Sequence, residues 1–228
     1  MLTVPQFSKS YLKTEGTLCF PGFCISDAAI VVLSGGNGAG KTTFLDCVYR
    51  MCSNNLEIGC FYLRQMYEHL LFPYKPIWWN VCLWNIIEGN ATTDQLKARA
   101  KEHLTKFGLD IDITRYPASL SGGEKHLVLV LQMMLSNHQL LLIDEPLTGV
   151  DAARIEVLWQ LLKTLVLRHR KYVILTSHIP IPGMAAQTAI SFAGFNRSKL
   201  KLSLVDGDSA NLTEYPGSIN ENCGKNKN

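Results

Sequence analysis

Runs of apolar residues alternate with polar turns along most of the chain, and their spacing predicts strands that alternate with helices. Short leucine-rich or β-branched runs, typical of strands buried on both faces, lie at 29–33, 140–143 and 172–175. Helical patterns follow the first two runs, in a helix that starts at Thr43 and in the amphipathic segment Asp151–Arg168. This alternation predicts an α/β fold with a parallel sheet.

The N-terminal part of the chain is less regular. Three short strand-like pieces broken by Gly and Pro indicate a small antiparallel sheet, and they are Leu2–Val4, Thr17–Phe20 and Phe23–Ile25. Aromatic residues crowd segment 57–88, whose pattern predicts neither a helix nor a strand.

A helical subdomain is predicted at about residues 80–137. Within it, Thr93–Phe107 has apolar residues at helical spacing, with its first threonine as the expected N-cap and Gly108 as a stop. Residues 1–205 form the expected folded domain. Residues 206–228 are polar and rich in Asn, Gly and Ser, so we expect a flexible tail there.

Composition and charge exclude several classes of protein. The chain has 228 residues, of which 47% are hydrophobic, and can bury a sizeable core. A net charge of +3 is too small to favour nucleic acid as a partner. The seven cysteines lack metal-ligand spacing, so we expect reduced thiols. Neither a secretory pattern nor an apolar run of bilayer length is present, so we expect a soluble or peripheral protein.

A glycine-rich segment between the first predicted strand and helix fits the P-loop pattern G-x-x-x-x-G-K-[ST]. It consists of Gly35, Gly36, Asn37, Gly38, Ala39, Gly40, Lys41 and Thr42, with Thr43 directly after it. Such glycines let backbone N–H groups surround a phosphate, and the helix N-terminus adds positive charge. We expect Lys41 to reach the β- and γ-phosphates and Thr42 to ligate Mg²⁺. A chance glycine turn is the alternative.

A second candidate is the acidic pair that ends the predicted strand at 140–143. Asp144 is expected to hold Mg²⁺ through water, and Glu145 is expected to act as the general base for the attacking water. The alternative is an ordinary strand end that meets an acidic turn.

A third motif, Leu120-Ser121-Gly122-Gly123-Glu124, precedes an apolar helix, whose N-terminus favours a phosphate. After it come the acidic strand end, the segment Thr148-Gly149-Val150-Asp151 and a strand that ends in Ser177-His178. In order and spacing these motifs resemble the ATPase domain of the ATP-binding-cassette family, over roughly residues 2–205.

The resemblance implies an α/β P-loop fold with a helical subdomain, and a head-to-tail dimer with two ATP molecules at its interface. Each ATP is held by one P-loop and by the partner's signature, where Ser121, Gly122 and Gly123 contact the γ-phosphate. Asp151 is implied to be the D-loop acid, and His178 the switch histidine.

Other positions are less clear. Tyr11 falls where the family has an aromatic residue that stacks on adenine, although a surface tyrosine is an equal alternative. The family's Q-loop glutamine corresponds either to Gln65 or to the position of Tyr74. Glu124 replaces a usual glutamine and Leu127 a usual arginine, which raises the expectation of an altered response to ATP.

The stretches Val173–Ile181, SGGNGAGKTTFL and EPLTGVD are similar to the haem-exporter ATPases of cytochrome c maturation. This likeness implies an integral-membrane, CcmB-like permease as partner, and a peripheral position on the cytoplasmic face of the inner membrane. Segment 57–88 is then expected to line the groove that receives a permease helix, through Ile77, Trp78, Trp79 and Trp84. Ordinary core packing of these side chains is the alternative.

Three alternatives stay open, and the first is a transporter ATPase that serves another cargo. A DNA-maintenance ATPase of the same superfamily needs a long coiled coil, but only about eighty residues separate Lys41 from Ser121 and they show no sustained heptads. A soluble cassette, such as one that serves iron–sulfur assembly, would work without a permease.

Overall fold

A six-stranded sheet with helices around it forms the centre of the molecule. The computed structural model describes residues 1–10, 17–55, 58–65, 70–89, 91–146, 152–177, 188–194, 199–206 and 210–214. Within them the strands are β1 (Leu2–Val4), β2 (Phe7–Ser10), β3 (Thr17–Phe20), β4 (Phe23–Ile25), β5 (Ile30–Gly35), β6 (Cys60–Leu63), β7 (Leu140–Ile143), β8 (Tyr172–Ser177), β9 (Thr188–Ala193), β10 (Lys199–Asp206) and β11 (Leu212–Glu214). The α-helices are α1 (Lys41–Asn55), α2 (Ile77–Val81), α3 (Leu83–Ile87), α4 (Thr93–Lys106), α5 (Gly122–Met134) and α6 (Ala152–Leu167).

The central sheet has the strand order β6-β7-β8-β5-β10-β9. The first four strands are parallel, and β10 pairs antiparallel with both β5 and β9. The carboxyl ends of β5, β6, β7 and β8 therefore meet at one edge, which is where open α/β sheets place their ligands.

Two hydrophobic cores lie on opposite faces of this sheet, because successive side chains of a strand point to opposite sides. On β7, Leu141 and Ile143 face the core that contains α5 and α6, whereas Leu140 and Leu142 face the core that contains α1 and β1. All four side chains are fully buried. Burial on both faces explains why the sequence shows a continuous apolar run here.

The last residues that the structure describes, 210–214, differ from the expected flexible tail. Strand β11 pairs antiparallel with β4, whose other edge pairs with β1. Leu212 is 1% exposed and Ala210 is 5% exposed. The expectation of flexibility from residue 206 is therefore wrong for 210–214, since a three-residue strand can complete an existing sheet with one buried leucine.

The N-cap of helix α4 lies one residue before the expected position. Its N-cap is Thr92, whose hydroxyl accepts from the Gln95 backbone N–H, while the Gln95 side chain accepts from the Thr92 N–H. This capping box replaces the predicted cap at Thr93. Gly108 follows the helix at φ +66°, the left-handed conformation that terminates helices.

The aromatic segment contains β6, α2 and α3. Asn80 is fully buried and organises the turn before α2, since it accepts from the Phe72 N–H at 2.8 Å and donates to the Lys75 carbonyl at 3.0 Å. Ile77 is fully buried, so it belongs to the core and does not line a surface groove. Trp84 packs against Phe61 with ring centroids 5.9 Å apart.

All three tryptophans of this segment, Trp78, Trp79 and Trp84, are only partly buried. Trp78 packs on the core beside α5, whereas Trp79 contacts Phe72 with ring centroids 5.0 Å apart. Phe72 is 47% exposed and Tyr74 is 90% exposed, so aromatic surface is present beside Trp79.

The cysteines follow the expectation of reduced thiols only in part. Cys24, Cys47, Cys52, Cys60 and Cys82 are free. Cys19 is disulfide-bonded, so the expectation is wrong at that position. Sequence spacing carries no information about which cysteines meet in space.

Candidate nucleotide-binding and hydrolysis site

The P-loop forms the turn between β5 and α1, at the carboxyl edge of the sheet. Gly38 and Gly40 have φ values of +71° and +104°, which disfavour any residue with a side chain. Gly35 is required for a different reason, because a Cβ there would lie 2.6 Å from Leu200 Cδ2. The glycines thus allow both the turn itself and its close contact with β10.

Lys41 is the first residue of α1 and is only 5% exposed. Its ammonium donates to the carbonyl oxygens of Gly35 at 2.9 Å and Gly36 at 3.1 Å. Burial lowers the pKa of Lys41, and the charges of Glu145 and Asp144 act in the opposite direction. The ammonium therefore lies across the mouth of the loop, with two carboxylates nearby.

Asp144 follows β7 and is 3% exposed. Its Oδ2 accepts from the Thr42 hydroxyl at 2.8 Å, and its Oδ1 accepts from the Thr176 hydroxyl at 2.7 Å. Thr42 and Asp144 thus offer a hydroxyl and a carboxylate oxygen side by side, the kind of donors that Mg²⁺ prefers. The pair fits a cation that also takes ligands from phosphate and water.

Glu145 has a φ of +53°, a conformation that a residue other than Gly or Asn seldom adopts. Its backbone N–H donates to the Thr176 hydroxyl at 2.7 Å. Its Oε2 accepts from Gln65 Nε2 at 3.0 Å. Gln65 follows β6, Glu145 follows β7 and Thr176 belongs to β8. Residues from three neighbouring parallel strands therefore meet at Glu145.

The two alternatives for the Q-loop position differ sharply in placement. Gln65 bonds to Glu145, whereas Tyr74 is 90% exposed in the turn before α2. Of the two, only Gln65 lies beside the acidic pair.

The predicted signature residues lie at the start of α5. Ser121 is the N-cap, and its hydroxyl and backbone N–H both donate to Glu124 Oε2 at 2.7 Å. Gly122 and Gly123 form the first turn of the helix. Glu124 is therefore the fourth member of a capping box, a role that glutamate and glutamine share.

The residues that follow explain the second departure from the family pattern. Leu127 is 2% exposed and belongs to the core between α5 and α6. His126 is also 2% exposed, and burial lowers its pKa to about 4. An arginine at 127 would have to be accommodated in an apolar environment, so leucine suits this position.

Three sequence-predicted residues lie outside the described part of the chain: Tyr11, Asp151 and His178. Their predicted roles stay predictions.

Three contributors to the site were missed or left open by sequence reasoning: Gln65, Thr176 and Gly194. Gly194 follows β9 and packs directly on the P-loop, where a Cβ would overlap the Ala39 carbonyl oxygen. Thr176 directly follows the apolar run 172–175 in β8, and no motif marks it. The only indication in the sequence was that two polar residues, Thr176 and Ser177, end the strand. For Gly194 no motif distinguishes it from a turn glycine.

Known proteins resemble this chain over most of its length. HrtA from Staphylococcus epidermidis, named as a hemin import ATP-binding protein, is 26% identical over 200 residues, covering 78% of this chain and 89% of HrtA. SsuB 2 from Pseudomonas syringae pv. syringae, named as an aliphatic sulfonates import ATP-binding protein, is 32% identical over 157 residues, which cover 68% of this chain and 55% of SsuB 2.

Solved structures support the fold. The dimeric ATP-binding cassette MJ0796, bound to ADP and Pi, superposes with a TM-score of 0.64 at 22% identity, covering 78% of this chain and 88% of that one. The predicted fold class is confirmed by this likeness.

Among the described residues no helix is long and apolar enough to cross a membrane. A model of the ABC transporter family matches residues 21–148, which is more than half of the chain. The chain therefore belongs to the ABC transporter family, as an ATP-binding cassette that hydrolyses ATP in a reaction coupled to transport.

Proposed function

We propose that two copies of this chain form a head-to-tail dimer that drives a membrane transporter by closing around ATP and reopening after hydrolysis. One observation carries the assignment of the site residues: Thr42 and Thr176 both donate to Asp144, beside a P-loop and next to Glu145. Oxygen donors and a carboxylate base next to a phosphate cradle are the parts that phosphoryl transfer to water requires.

In this mechanism the P-loop N–H groups bind the phosphates of ATP. Lys41 exchanges its contacts with the Gly35 and Gly36 carbonyls for β- and γ-phosphate oxygens. Thr42 and Asp144 would hold Mg²⁺, which would supply positive charge that stabilises the phosphates during transfer. The buried ammonium and the acidic pair would then lie on either side of the transferred group.

Glu145 is the proposed general base. Its carboxylate takes the proton of the attacking water, while Gln65 holds it in place through the 3.0 Å hydrogen bond. The partner chain completes the site with its Ser121, Gly122 and Gly123, whose helix N-terminus faces the γ-phosphate. Asp151 and His178 are proposed to act at the same interface.

The decisive experiment is the Glu145→Gln variant. It removes the base but keeps the shape of the side chain, so we expect loss of ATP turnover with retained ATP binding. ATP should then hold the dimer closed, measured by size-exclusion chromatography with and without ATP. Glu156→Gln, on the exposed face of α6 where Glu156 contacts only Gln160 among the described hydrogen bonds, is the matched control.

Normal hydrolysis by Glu145→Gln, with the control also normal, would remove Glu145 from the proposed role. Loss of turnover in both variants would indicate a general effect of removing a carboxylate, and would also count against it.

The membrane partner is proposed to dock on the aromatic surface beside α2, formed by Phe72, Tyr74 and Trp79. This surface is exposed at 47% for Phe72 and 90% for Tyr74, and large exposed apolar patches commonly mark interaction sites. The chain would then be peripheral, on the cytoplasmic face of the inner membrane.

We expect Trp79→Ala to reduce the amount of membrane subunit that co-purifies with the tagged chain, without a change in ATP affinity. Tyr116→Ala, which removes another exposed aromatic side chain at 51% exposure, is the control. Unchanged co-purification would remove Trp79 from the docking surface. Recovery of the wild-type chain without any membrane subunit would instead favour a soluble cassette.

For the cargo we propose a haem-type molecule that is exported through a haem-exporter permease. The local similarities to the haem-exporter ATPases and the hemin named for HrtA support this class; the sulfonates named for SsuB 2 show that the family serves other cargos. Hemin should stimulate ATPase activity of the detergent-purified complex. No response to hemin, with activity otherwise normal, would leave the ATPase proposal standing and remove this cargo.

A further inference from the structure

A single buried hydroxyl connects both acidic residues of the site. Thr176 is fully buried near the end of β8. Its Oγ1 donates to Asp144 Oδ1 at 2.7 Å and accepts from the Glu145 backbone N–H at 2.7 Å. We infer that Thr176 is a positioning residue for ATP hydrolysis: it fixes which Asp144 oxygen faces Thr42, and it fixes the backbone from which Glu145 projects. This inference rests on the proposed roles of Asp144 and Glu145.

The first consequence concerns Asp144. Its two oxygens have different partners, since Oδ1 binds Thr176 and Oδ2 binds Thr42. A carboxylate held by two hydroxyl donors on its two oxygens cannot rotate about its Cβ–Cγ bond without losing both. Thr176 therefore commits Oδ1 to the protein and leaves Oδ2 as the oxygen that faces the P-loop.

The second consequence concerns Glu145. Its φ of +53° is unfavourable for a glutamate and persists only where neighbouring contacts enforce it. The bond from its N–H to Thr176 is such a contact, and the Gln65 bond to Oε2 holds the end of its side chain. Backbone and side chain of Glu145 are thus each held by a residue from a neighbouring strand.

The position of the hydroxyl itself is set by the sheet. Strand β8 lies between β5 and β7, and the register pairs Thr176 with Leu33 of β5. A hydroxyl has one donor and two acceptor sites, so threonine and serine can serve both partners at once. Valine has the same branched shape and can serve neither.

The test compares Thr176→Val with Thr176→Ser. For Thr176→Val we expect kcat to fall by about tenfold to a hundredfold, the cost of a misplaced catalytic group, while KM for ATP changes by less than about threefold. Thr176→Ser keeps the hydroxyl and should retain about half of the kcat or more. Thr164→Val, which removes a hydroxyl bonded to the Gln160 carbonyl on α6, is the matched control.

A second readout does not depend on turnover. Equilibrium titration with ATP, with and without Mg²⁺, gives the gain in affinity that Mg²⁺ provides. We expect this gain to be reduced in Thr176→Val, within the limit of about threefold expected for KM, and to be preserved in Thr176→Ser. If Thr176→Val does not fold, as judged by thermal unfolding, Thr176→Ala takes its place, because it removes the hydroxyl without placing a new methyl group beside Asp144.

A Thr176→Val variant with wild-type kcat and a wild-type Mg²⁺ gain would overturn the inference. An equal loss in Thr176→Ser would also overturn it, because it would assign the effect to packing of the methyl group. Failure of the proposed function has a different signature: Glu145→Gln would hydrolyse ATP normally. If Glu145→Gln is inactive and Thr176→Val is normal, the positioning role alone is lost.

Discussion

Two lysines are buried at opposite ends of the strands of the same sheet. Lys41, at the carboxyl edge, is 5% exposed and donates to the carbonyls of Gly35 and Gly36. Lys171, at the amino edge, is 6% exposed and donates to the Met133 carbonyl at 3.2 Å and to the Ser136 carbonyl. In burial and in hydrogen-bond partners they are nearly alike.

Their surroundings separate them. The carbonyls beside Lys41 belong to a glycine-rich turn, and two carboxylates lie close enough to affect its pKa. The carbonyls beside Lys171 end helix α5, where an ammonium satisfies the last turn and opposes the helix dipole. Beside it is a cavity of about 390 Å³ that His138 and His169 also line. A buried lysine is therefore informative only together with the charges and the backbone around it.

Lys41→Ala should separate the two lysines most strongly. Loss of the charge that reaches the phosphates should weaken ATP binding by about a thousandfold, near 4 kcal/mol. An equilibrium binding titration measures this, with Lys171→Met as the comparison that should keep its ATP affinity. Equal losses in both variants would mean that Lys41 acts only through the fold.

Lys171→Met should instead change how stability depends on pH. Burial lowers the pKa of Lys171 to about 8 from 10.5 in the unfolded chain. Between pH 8 and 10.5 the unfolded chain binds this proton and the folded chain has lost it, so the free energy of unfolding rises with pH. Below pH 8 both states are protonated, and the cost of burying the charge is fully present.

The wild-type free energy of unfolding should therefore gain up to about 3 kcal/mol relative to Lys171→Met across that window. Denaturant titrations at several pH values measure the difference, and the exposed Lys101→Met is the control. A difference that is flat with pH would show that the Lys171 ammonium keeps its ordinary pKa.

Gly194→Ala tests the bracing of the P-loop at the carboxyl edge. The added Cβ would overlap the Ala39 carbonyl, so the loop must shift. We expect ATP affinity to fall by about tenfold, near 1.4 kcal/mol, with little change in the thermal unfolding temperature. The control is Ser8→Ala, which changes an exposed side chain on β2.

Thr92→Ala should have the smallest effect and should be confined to stability. Loss of the N-cap bond to Gln95 should cost about 1 kcal/mol of unfolding free energy, with ATP affinity unchanged. Thr93→Ala is the matched control, since Thr93 lies within the helix and is not its cap. A larger loss in Thr93→Ala would place the cap where the sequence pattern first suggested.

The sequence predicts the site better where chemistry depends on local spacing than where it depends on contacts between strands. The P-loop lies between β5 and α1, and Asp144 and Glu145 follow β7, because a strand, a turn and a helix are encoded within a few consecutive residues. The contact between Thr42 and Asp144 joins positions 102 residues apart. It was still predictable, because each motif assigns its residue to the same Mg²⁺ site.

Thr176 and Gln65 have no such local signature. Thr176 lies in a fully buried strand directly after the apolar run 172–175, and its contacts depend on which strand lies beside β7. Gln65 follows β6, which was not predicted because the aromatic residues around it mask its short pattern. Leu212 is similar: one buried leucine in a polar segment gains its place only because β4 offers a free edge.

The cap at Lys171 has a mechanical consequence for helix α5. The 13-residue helix is about 20 Å long, and it is tied to the start of β8 at the end remote from Ser121. A rod fixed at one end moves most at the other, so a rotation of about 5° about this anchor displaces Ser121 by about 2 Å. The sheet thus acts as the pivot for α5, and the N-terminal end with Ser121, Gly122 and Gly123 is the part that moves furthest.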